Sequence, residues 1–279
     1  MTRNSDIAPT SSQPQAHLVQ SDIVWEDRAA NREAMATLLR SHAQSGTIRP
    51  GDLVVLTEMF DTGFSFRLDV TADRDNATLD FLCAMARELR ITLQGSRSVI
   101  GPDGKGRNQA PIIGPDGHVL CMFDKMHPFS IGRESEFFTG GDRIMTYDWV
   151  ANSTTIRVCP TICYDLRFPE LFRLGMLAGA ELFALGASWP GTRAWHRRAL
   201  GIARAIENQA YLLFVNRAGS DPHLTYDGAS YAADHQGTIV GELGDRAGVL
   251  SVSVDIKSLR DWRAKFPVWK DIRLISPIA

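Results

Sequence analysis

The chain has 279 residues, 44% of them hydrophobic and 22% charged, and it carries a net charge of −2. This length allows one large α/β domain or two small ones. The charge gives no indication of a nucleic-acid or acidic-membrane partner, because surfaces that bind phosphate usually show a basic excess. One arginine group in a predicted helix is interpreted as a solvated face; it comprises Arg193, Arg197, Arg198 and Arg204.

The four cysteines show neither a Cys-x-x-Cys motif nor a Cys/His pair at zinc spacing. In a chain of this size without a secretory signal, they favour a reduced, cytoplasmic setting. Residues 1–15 are rich in Ser, Thr, Asn, Gln and Pro, which predicts a disordered polar tail. No apolar run approaches the roughly 18 residues that a membrane span requires. Because no repeat or linker interrupts residues 16–279, they are predicted to form one domain.

Apolar periodicity predicts alternating strands and helices in the first half of the chain. The continuous apolar run Leu53 to Leu56 is typical of a strand covered on both faces, and it ends close to Glu58. Lys125 ends another apolar strand, where a lysine must reach solvent or meet an acid. The other elements predicted here are strands at His17 to Val24, Ile91 to Ile100, Asn108 to Ile113 and Val119 to Lys125, and helices at Asn31 to Ala43 and around Leu79 to Leu89.

Cys163 lies between a predicted strand and a predicted helix. Residues Thr155 to Ile162 alternate polar and apolar side chains, and Pro169 is suited to the first turn of a helix. Unpaired N–H groups at such a corner favour negative charge, so we expect the thiol to ionise more readily and nearby amides to bind an oxyanion. The alternative is a buried structural cysteine, the most frequent environment of a free cysteine.

The remaining pattern predicts a layered α/β fold. Further strands are predicted at Ile144 to Val150, Glu181 to Ala187, Tyr211 to Val215, Ser230 to Gly241 and Val249 to Asp255, with helices at Ala194 to Asn208 and after Asp255. Polar residues follow the carboxyl ends of the apolar strands, at Glu58, Lys125, Cys163, Ser188 and Asn216. Ligands of layered α/β folds commonly bind at that edge.

A cysteine that attacks a carbonyl group needs a proton acceptor and an oxyanion stabiliser. Glu58 can accept the thiol proton, while Lys125 and the N–H after Cys163 can hold the oxyanion. Glu58 and Lys125 would also keep each other ionised, although each could instead be an ordinary surface residue. A papain-like Cys/His pair using His127 or His196 is disfavoured, because the local cysteine signature of that family is absent and no His lies at the end of a buried strand.

Three motifs in order resemble the carbon-nitrogen hydrolase (nitrilase) superfamily. They are Thr57 to Ser65, Asp124 to His127 and Cys163 to Glu170, and the segment Ala203 to Tyr211 is also similar. The resemblance implies a four-layer αββα sandwich, a homodimer and a catalytic triad of Glu58, Lys125 and Cys163. It further implies a second glutamate that orients the lysine, best matched by Glu134 and less well by Glu136. Neither a metal nor an organic cofactor is expected.

Within this superfamily, the segments Glu58 to Phe64 and Lys265 to Asp271 look like the omega-amidase group. That similarity implies hydrolysis of the terminal amide of short 2-oxo dicarboxylate monoamides. Alternative substrates are deaminated glutathione, aliphatic amides, nitriles and N-carbamoyl compounds, and a catalytically silent binding protein is the alternative of another class. Pocket walls are expected from Phe64, Tyr164 and Trp189. Arg167 is interpreted either as a substrate ligand or as the partner of Asp165 or another acid in a buried pair.

Overall fold

The computed structural model describes residues 13–273, so residues 1–12 of the predicted tail lie outside the described residues. The predicted tail extends too far, to residue 15. Gln15 already begins the first strand, and the Pro14 carbonyl accepts a hydrogen bond of 2.8 Å from the Val254 N–H. Pro14 and Gln15, which composition alone assigns to the tail, are thus ordered by hydrogen bonds to a segment near the other end of the chain.

The described residues form fifteen strands and seven helices. The strands are β1 Gln15–Gln20, β2 Leu53–Leu56, β3 Thr92–Gln94, β4 Arg97–Ile100, β5 Gly106–Ile113, β6 Val119–Asp124, β7 Tyr147–Ala151, β8 Thr154–Ile162, β9 Leu182–Ala187, β10 Tyr211–Asn216, β11 Ala218–Ser220, β12 Thr225–Asp227, β13 Tyr231–Ala233, β14 Ile239–Glu242 and β15 Gly248–Ser253. The helices are α1 Arg28–Gln44, α2 Leu68–Thr71, α3 Ala77–Leu89, α4 Glu134–Phe137, α5 Pro169–Leu177, α6 Ala194–Asn208 and α7 Ile256–Lys265. No helix within residues 13–273 is long and apolar enough to cross a membrane.

Two large sheets dominate the fold. One has seven strands in the order β15-β1-β2-β3-β5-β4, with β6 also paired to β5, and the other has six in the order β14-β13-β10-β9-β8-β7. The centre of each sheet is parallel, formed by β1, β2 and β3 in one and by β8, β9 and β10 in the other. Parallel strands end at one edge, so the residues that follow them are brought together there.

The two sheets pack face to face and are covered by helices on their outer faces. Leu18 and Val55 of the first sheet share a buried core with Val158 and Leu213 of the second. A separate core joins the first sheet to α1 and α3, and a third joins the second sheet to α5 and α6. This layering confirms the predicted four-layer αββα sandwich.

Helix α6 has the predicted bounds, but it buries a different face. Arg197 and Arg204 are 3% and 5% exposed, whereas Ile206 is 49% exposed. Burial is possible because Arg197 forms two hydrogen bonds to Asp227, at 2.7 and 3.0 Å, and Arg204 donates to the Leu166 carbonyl. The interpretation of this arginine group as a solvated face is therefore wrong for these two members, since paired charges can be buried.

Gly186 lies where the two sheets approach each other closely, beside the predicted site. A Cβ atom at this position of β9 would lie 2.6 Å from the Leu56 carbonyl oxygen and 3.2 Å from the Glu58 nitrogen. Those atoms belong to backbone, which cannot rotate out of the way. Only glycine therefore allows β9 to pass the end of β2 at this distance.

We expect Gly186→Ala to lower the free energy of unfolding by about 1–3 kcal/mol, because it overpacks a core of rigid backbone. Urea unfolding followed by circular dichroism measures this change. Gly244→Ala is the matched control, since a Cβ atom there would meet nothing within 4 Å. Equal free energies of unfolding for the two variants would contradict this prediction, because they would show that the sheets can move apart at Gly186 without loss of stability.

Candidate active site

Glu58 follows strand β2 by two residues and is completely buried. Its Oε1 atom accepts hydrogen bonds of 2.8 Å from Lys125 Nζ and from Asn108 Nδ2. Its Oε2 atom accepts a hydrogen bond of 2.9 Å from the backbone N–H of Ser188, which follows strand β9 of the other sheet. The carboxylate thus joins the two sheets at the edge where their parallel strands end.

Lys125 follows strand β6 and is also buried. Its Nζ atom donates to Glu58 and lies 3.1 and 2.8 Å from the two carboxylate oxygens of Glu134, at the start of α4. Burial acts to lower the pKa of Lys125, but the charges of Glu134 and Glu58 outweigh burial and raise it above its ordinary value. Lys125 is therefore a permanent cation, and Glu136, exposed and paired with Arg133, takes no part.

Asn108 belongs to the same cluster, although sequence analysis does not single it out as a site residue. Its Nδ2 atom donates to Glu58 at 2.8 Å and to Glu134 at 3.2 Å. Two buried carboxylates close together repel each other, and one amide that binds both reduces this repulsion. A polar side chain within strand β5 is the only sequence signal of this role.

Cys163 begins a 3-10 turn, Cys163–Arg167, that directly follows strand β8. Its φ of 45° lies in the left-handed region, as does the φ of 46° at Met59, the residue after Glu58. Non-glycine residues adopt this conformation rarely, and such strain is concentrated at functional sites. The backbone thus turns sharply at the cysteine and directly after the glutamate.

Asp165 fixes this turn to the segment that carries Lys125. One carboxylate oxygen accepts from the backbone N–H and the Nδ1–H of His127, at 3.0 and 2.8 Å, and the other accepts from the Ile162 N–H. Asp165 therefore pairs with His127, and the predicted alternative of a buried Asp165–Arg167 pair is wrong. The His127 ring stacks on Phe168 with a centroid distance of 3.7 Å.

The Cys163 thiol is not activated in the way its position predicts. Burial raises its pKa well above the ordinary value, and the Glu58 charge raises it further, while Lys125 and the Ser188 N–H act in the opposite direction. The expected easier ionisation is therefore wrong for the protein without substrate. Only 8% of the residue is exposed, and a carboxylate is its neighbour, so the resting group is a neutral thiol.

A pocket opens over Cys163, which forms part of its lining. Its walls include all three predicted residues, Phe64, Tyr164 and Trp189, and Lys125 also reaches it. Asn216 holds Trp189 in place by accepting from its backbone N–H and donating to its carbonyl, at 2.7 and 3.0 Å.

Two arginines, Arg167 and Arg193, also line this pocket. Sequence analysis leaves Arg167 open and misses Arg193 as a pocket residue. Neither His127 nor His196 lines the pocket, which agrees with the prediction that Cys163 does not act with a histidine. Within residues 13–273, no group of three or more His, Cys, Asp or Glu side chains is arranged to hold a metal ion.

Known proteins share both the sequence pattern and the fold. The sequence profile of the carbon-nitrogen hydrolase family matches residues 15–264. The chain is 33% identical to an omega-amidase of Yersinia enterocolitica, YafV, over 91% of this chain and 94% of the relative. It is 30% identical to a 2-oxoglutaramate amidase of Bacillus subtilis over 80% of this chain and 85% of the relative.

A solved structure gives the same result for the fold. A CN-hydrolase superfamily protein of Xanthomonas campestris, solved with an arsenic adduct in its active site, superposes with a TM-score of 0.85 at 28% identity, over 95% of this chain and 99% of that one. The region matched by the family profile contains the whole buried cluster from Glu58 to Cys163. The chain therefore belongs to the carbon-nitrogen hydrolase family and hydrolyses carbon–nitrogen bonds.

Proposed function

We propose that the protein is an omega-amidase, which hydrolyses the terminal amide of short 2-oxo dicarboxylate monoamides through a thioester on Cys163 and releases ammonia. The observation that carries this proposal is the buried hydrogen-bonded cluster of Glu58, Lys125 and Glu134 at the base of a pocket that also contains Cys163. The names of relatives at 30–33% identity support the substrate class.

In the acylation half of this mechanism, the Cys163 sulfur attacks the amide carbon while Glu58 takes the thiol proton. A carbon–sulfur bond forms, and the carbonyl oxygen becomes an oxyanion. Lys125 donates to Glu58 at 2.8 Å and to the two oxygens of Glu134 at 2.8 and 3.1 Å. We assign one N–H to each carboxylate, so that the third N–H can bind this oxyanion together with the Tyr164 N–H. Glu58 then gives its proton to the nitrogen, the carbon–nitrogen bond breaks, and ammonia leaves.

In the deacylation half, a water molecule attacks the thioester carbon while Glu58 takes one of its protons. The carbon–sulfur bond breaks, the acid product leaves, and the thiolate recovers the proton from Glu58. Glu134 orients Lys125 in both halves, since it is the bidentate partner of the ammonium. Phe64, Tyr164 and Trp189 would pack around the carbon chain of the substrate.

A reduced cytoplasmic setting is part of this proposal, because a thiol nucleophile must remain unoxidised. All four cysteines are free thiols in the structure. A homodimer is also proposed, as the family resemblance implies. Apolar side chains exposed on the outer faces of α5 and α6 support a second copy as the partner; they are Leu174, Leu177, Trp195 and Ile206.

Cys163→Ala is expected to reduce ammonia release from 2-oxoglutaramate by at least about 1,000-fold, because the covalent intermediate cannot form. Ammonia is measured with 2-oxoglutaramate, glutamine, a deaminated-glutathione analogue and a simple nitrile. Cys83→Ala on helix α3 is the control for loss of a cysteine elsewhere. Retained turnover by a folded Cys163→Ala variant would remove this residue as the nucleophile, and preference for another of the four compounds would overturn the substrate class.

Glu58→Gln is expected to have opposite effects on the ionisation of Cys163 and on turnover. The Glu58 charge raises the thiol pKa, so its removal should move the pH onset of iodoacetamide alkylation downward. Turnover should nevertheless fall by at least about 100-fold, because the proton acceptor is lost. Alkylation and ammonia release are followed over the same pH series. An unchanged alkylation profile would show that Glu58 does not act on the thiol.

The homodimer predicts a solution mass of about twice 30.8 kDa by light scattering after gel filtration. Replacing Ile206 with Asp should shift the mass toward the monomer, because it places a charge in the apolar surface of α5 and α6. Val24→Asp is the control, since Val24 is similarly exposed but lies far along the chain from these helices. A wild-type mass of one chain would contradict the proposed assembly.

A further inference from the structure

Arg167 and Arg193 are two cations at one pocket that have no acidic partner among the described residues. Neither forms an ion pair with a carboxylate within residues 13–273, although most other buried or half-buried arginines of this region do. Lys125, the other cation at the pocket, is already neutralised by Glu58 and Glu134. The positive charge that remains free faces the space above Cys163.

Aromatic rings hold the Arg167 guanidinium at the pocket wall. Its central carbon lies 4.7 Å from the ring centroid of Trp189 and 5.9 Å from that of Tyr164. His196 Nδ1 is 3.5 Å from one of its terminal nitrogens, the limit of a hydrogen bond. Such contacts orient an arginine without neutralising it, so its planar edge remains available for an anion.

Arg193 reaches the same pocket from a different element, the 3-10 turn Gly191–Arg193 that precedes α6. Its guanidinium carbon lies 5.4 Å from the Phe129 ring centroid, and Phe129 packs against Tyr164 at 4.8 Å. The Trp189 indole N–H donates to the Arg193 carbonyl at 2.9 Å, which fixes the turn. One aromatic group, formed by Phe129, Tyr164 and Trp189, thus supports both guanidinium groups.

The two arginines are close enough to affect each other. Burial lowers the pKa of Arg167, and the charge of Arg193 lowers it further. Two like charges at a half-buried wall repel each other, and a bound anion relieves that repulsion.

We propose that Arg167 and Arg193 form a carboxylate-binding subsite, which selects amides that carry a carboxylate at the end opposite to the scissile bond. Arg167 comes from the turn of the nucleophile and Arg193 from the turn before α6, so that the carboxylate would be bound from two separate elements. Guanidinium groups suit this task because they can bind carboxylate oxygens in pairs. This inference rests on the proposed function and adds the residues that determine its specificity.

The test compares succinamate with butanamide, which has a methyl group in place of the carboxylate. Steady-state kinetics are measured for the wild type, Arg167→Gln, Arg193→Gln and Arg193→Lys, beside 2-oxoglutaramate as the proposed substrate. Arg198→Gln is the matched control, because Arg198 lies on α6 but pairs with Glu242 away from the pocket. Circular dichroism verifies folding. If Arg193→Gln does not fold, Arg193→Lys, which keeps the charge but loses the planar pair of donors, should still raise KM for succinamate.

Each Gln variant should raise KM for succinamate and 2-oxoglutaramate by about 10- to 100-fold, the range expected for loss of a charged hydrogen bond, while KM for butanamide changes far less. If the wild type hydrolyses 2-oxoglutaramate and the variants keep its full preference for carboxylated amides, the subsite is wrong and the omega-amidase proposal stands. An equal fall in kcat for both amides would also overturn the subsite, since it indicates a structural role. If the wild type hydrolyses butanamide but no carboxylated amide, the proposed function itself fails.

Discussion

The buried ion pairs of Lys125 with Glu58 and Glu134 are the interaction on which the rest of the site depends. A single buried charge costs several kcal/mol, so each member of this group requires the others. Two carboxylates and one ammonium leave one excess negative charge, which Asn108 and the Ser188 N–H help to disperse. That excess charge, together with burial, keeps the neighbouring Cys163 a neutral thiol. Because a neutral thiol is a weak nucleophile, Cys163 reacts only when Glu58 takes its proton.

The sandwich is needed to assemble this group, because its members come from separate elements. Glu58 follows β2 and Lys125 follows β6 in one sheet, whereas Cys163 follows β8 and the Ser188 N–H follows β9 in the other. Asp165 adds a direct connection between the turn of the cysteine and the segment of the lysine. The distance between nucleophile and base is therefore a property of how the two sheets pack.

Much of this arrangement could be predicted from sequence, because continuous apolar runs identify buried strands and the motifs lie at their ends. The apolar run Leu53–Leu56 and the helical pattern Ala194–Asn208 predict elements with the observed bounds. Local sequence patterns do not predict the burial or the protonation of a side chain when these depend on a residue far away in the chain. The buried face of α6 depends on Asp227, thirty residues after Arg197, and the state of the thiol depends on Glu58, more than a hundred residues before it. The only local signal of Asn108 is a polar side chain within a strand, which is compatible with many roles.

The close approach of the sheets at Gly186 shows that the reacting groups and the pocket walls are positioned by different parts of the fold. Glu58 and the Ser188 N–H lie next to the contact between Gly186 and the end of β2. The backbones there are too close for a side chain to be inserted, so both groups are held in place. The walls of the pocket instead come from turns, such as Gly191–Arg193 and the segment that carries Phe129. Turns tolerate substitution far better than packed strands do. Changes in these turns alone can therefore alter which substrate fits, while the reacting groups keep their positions.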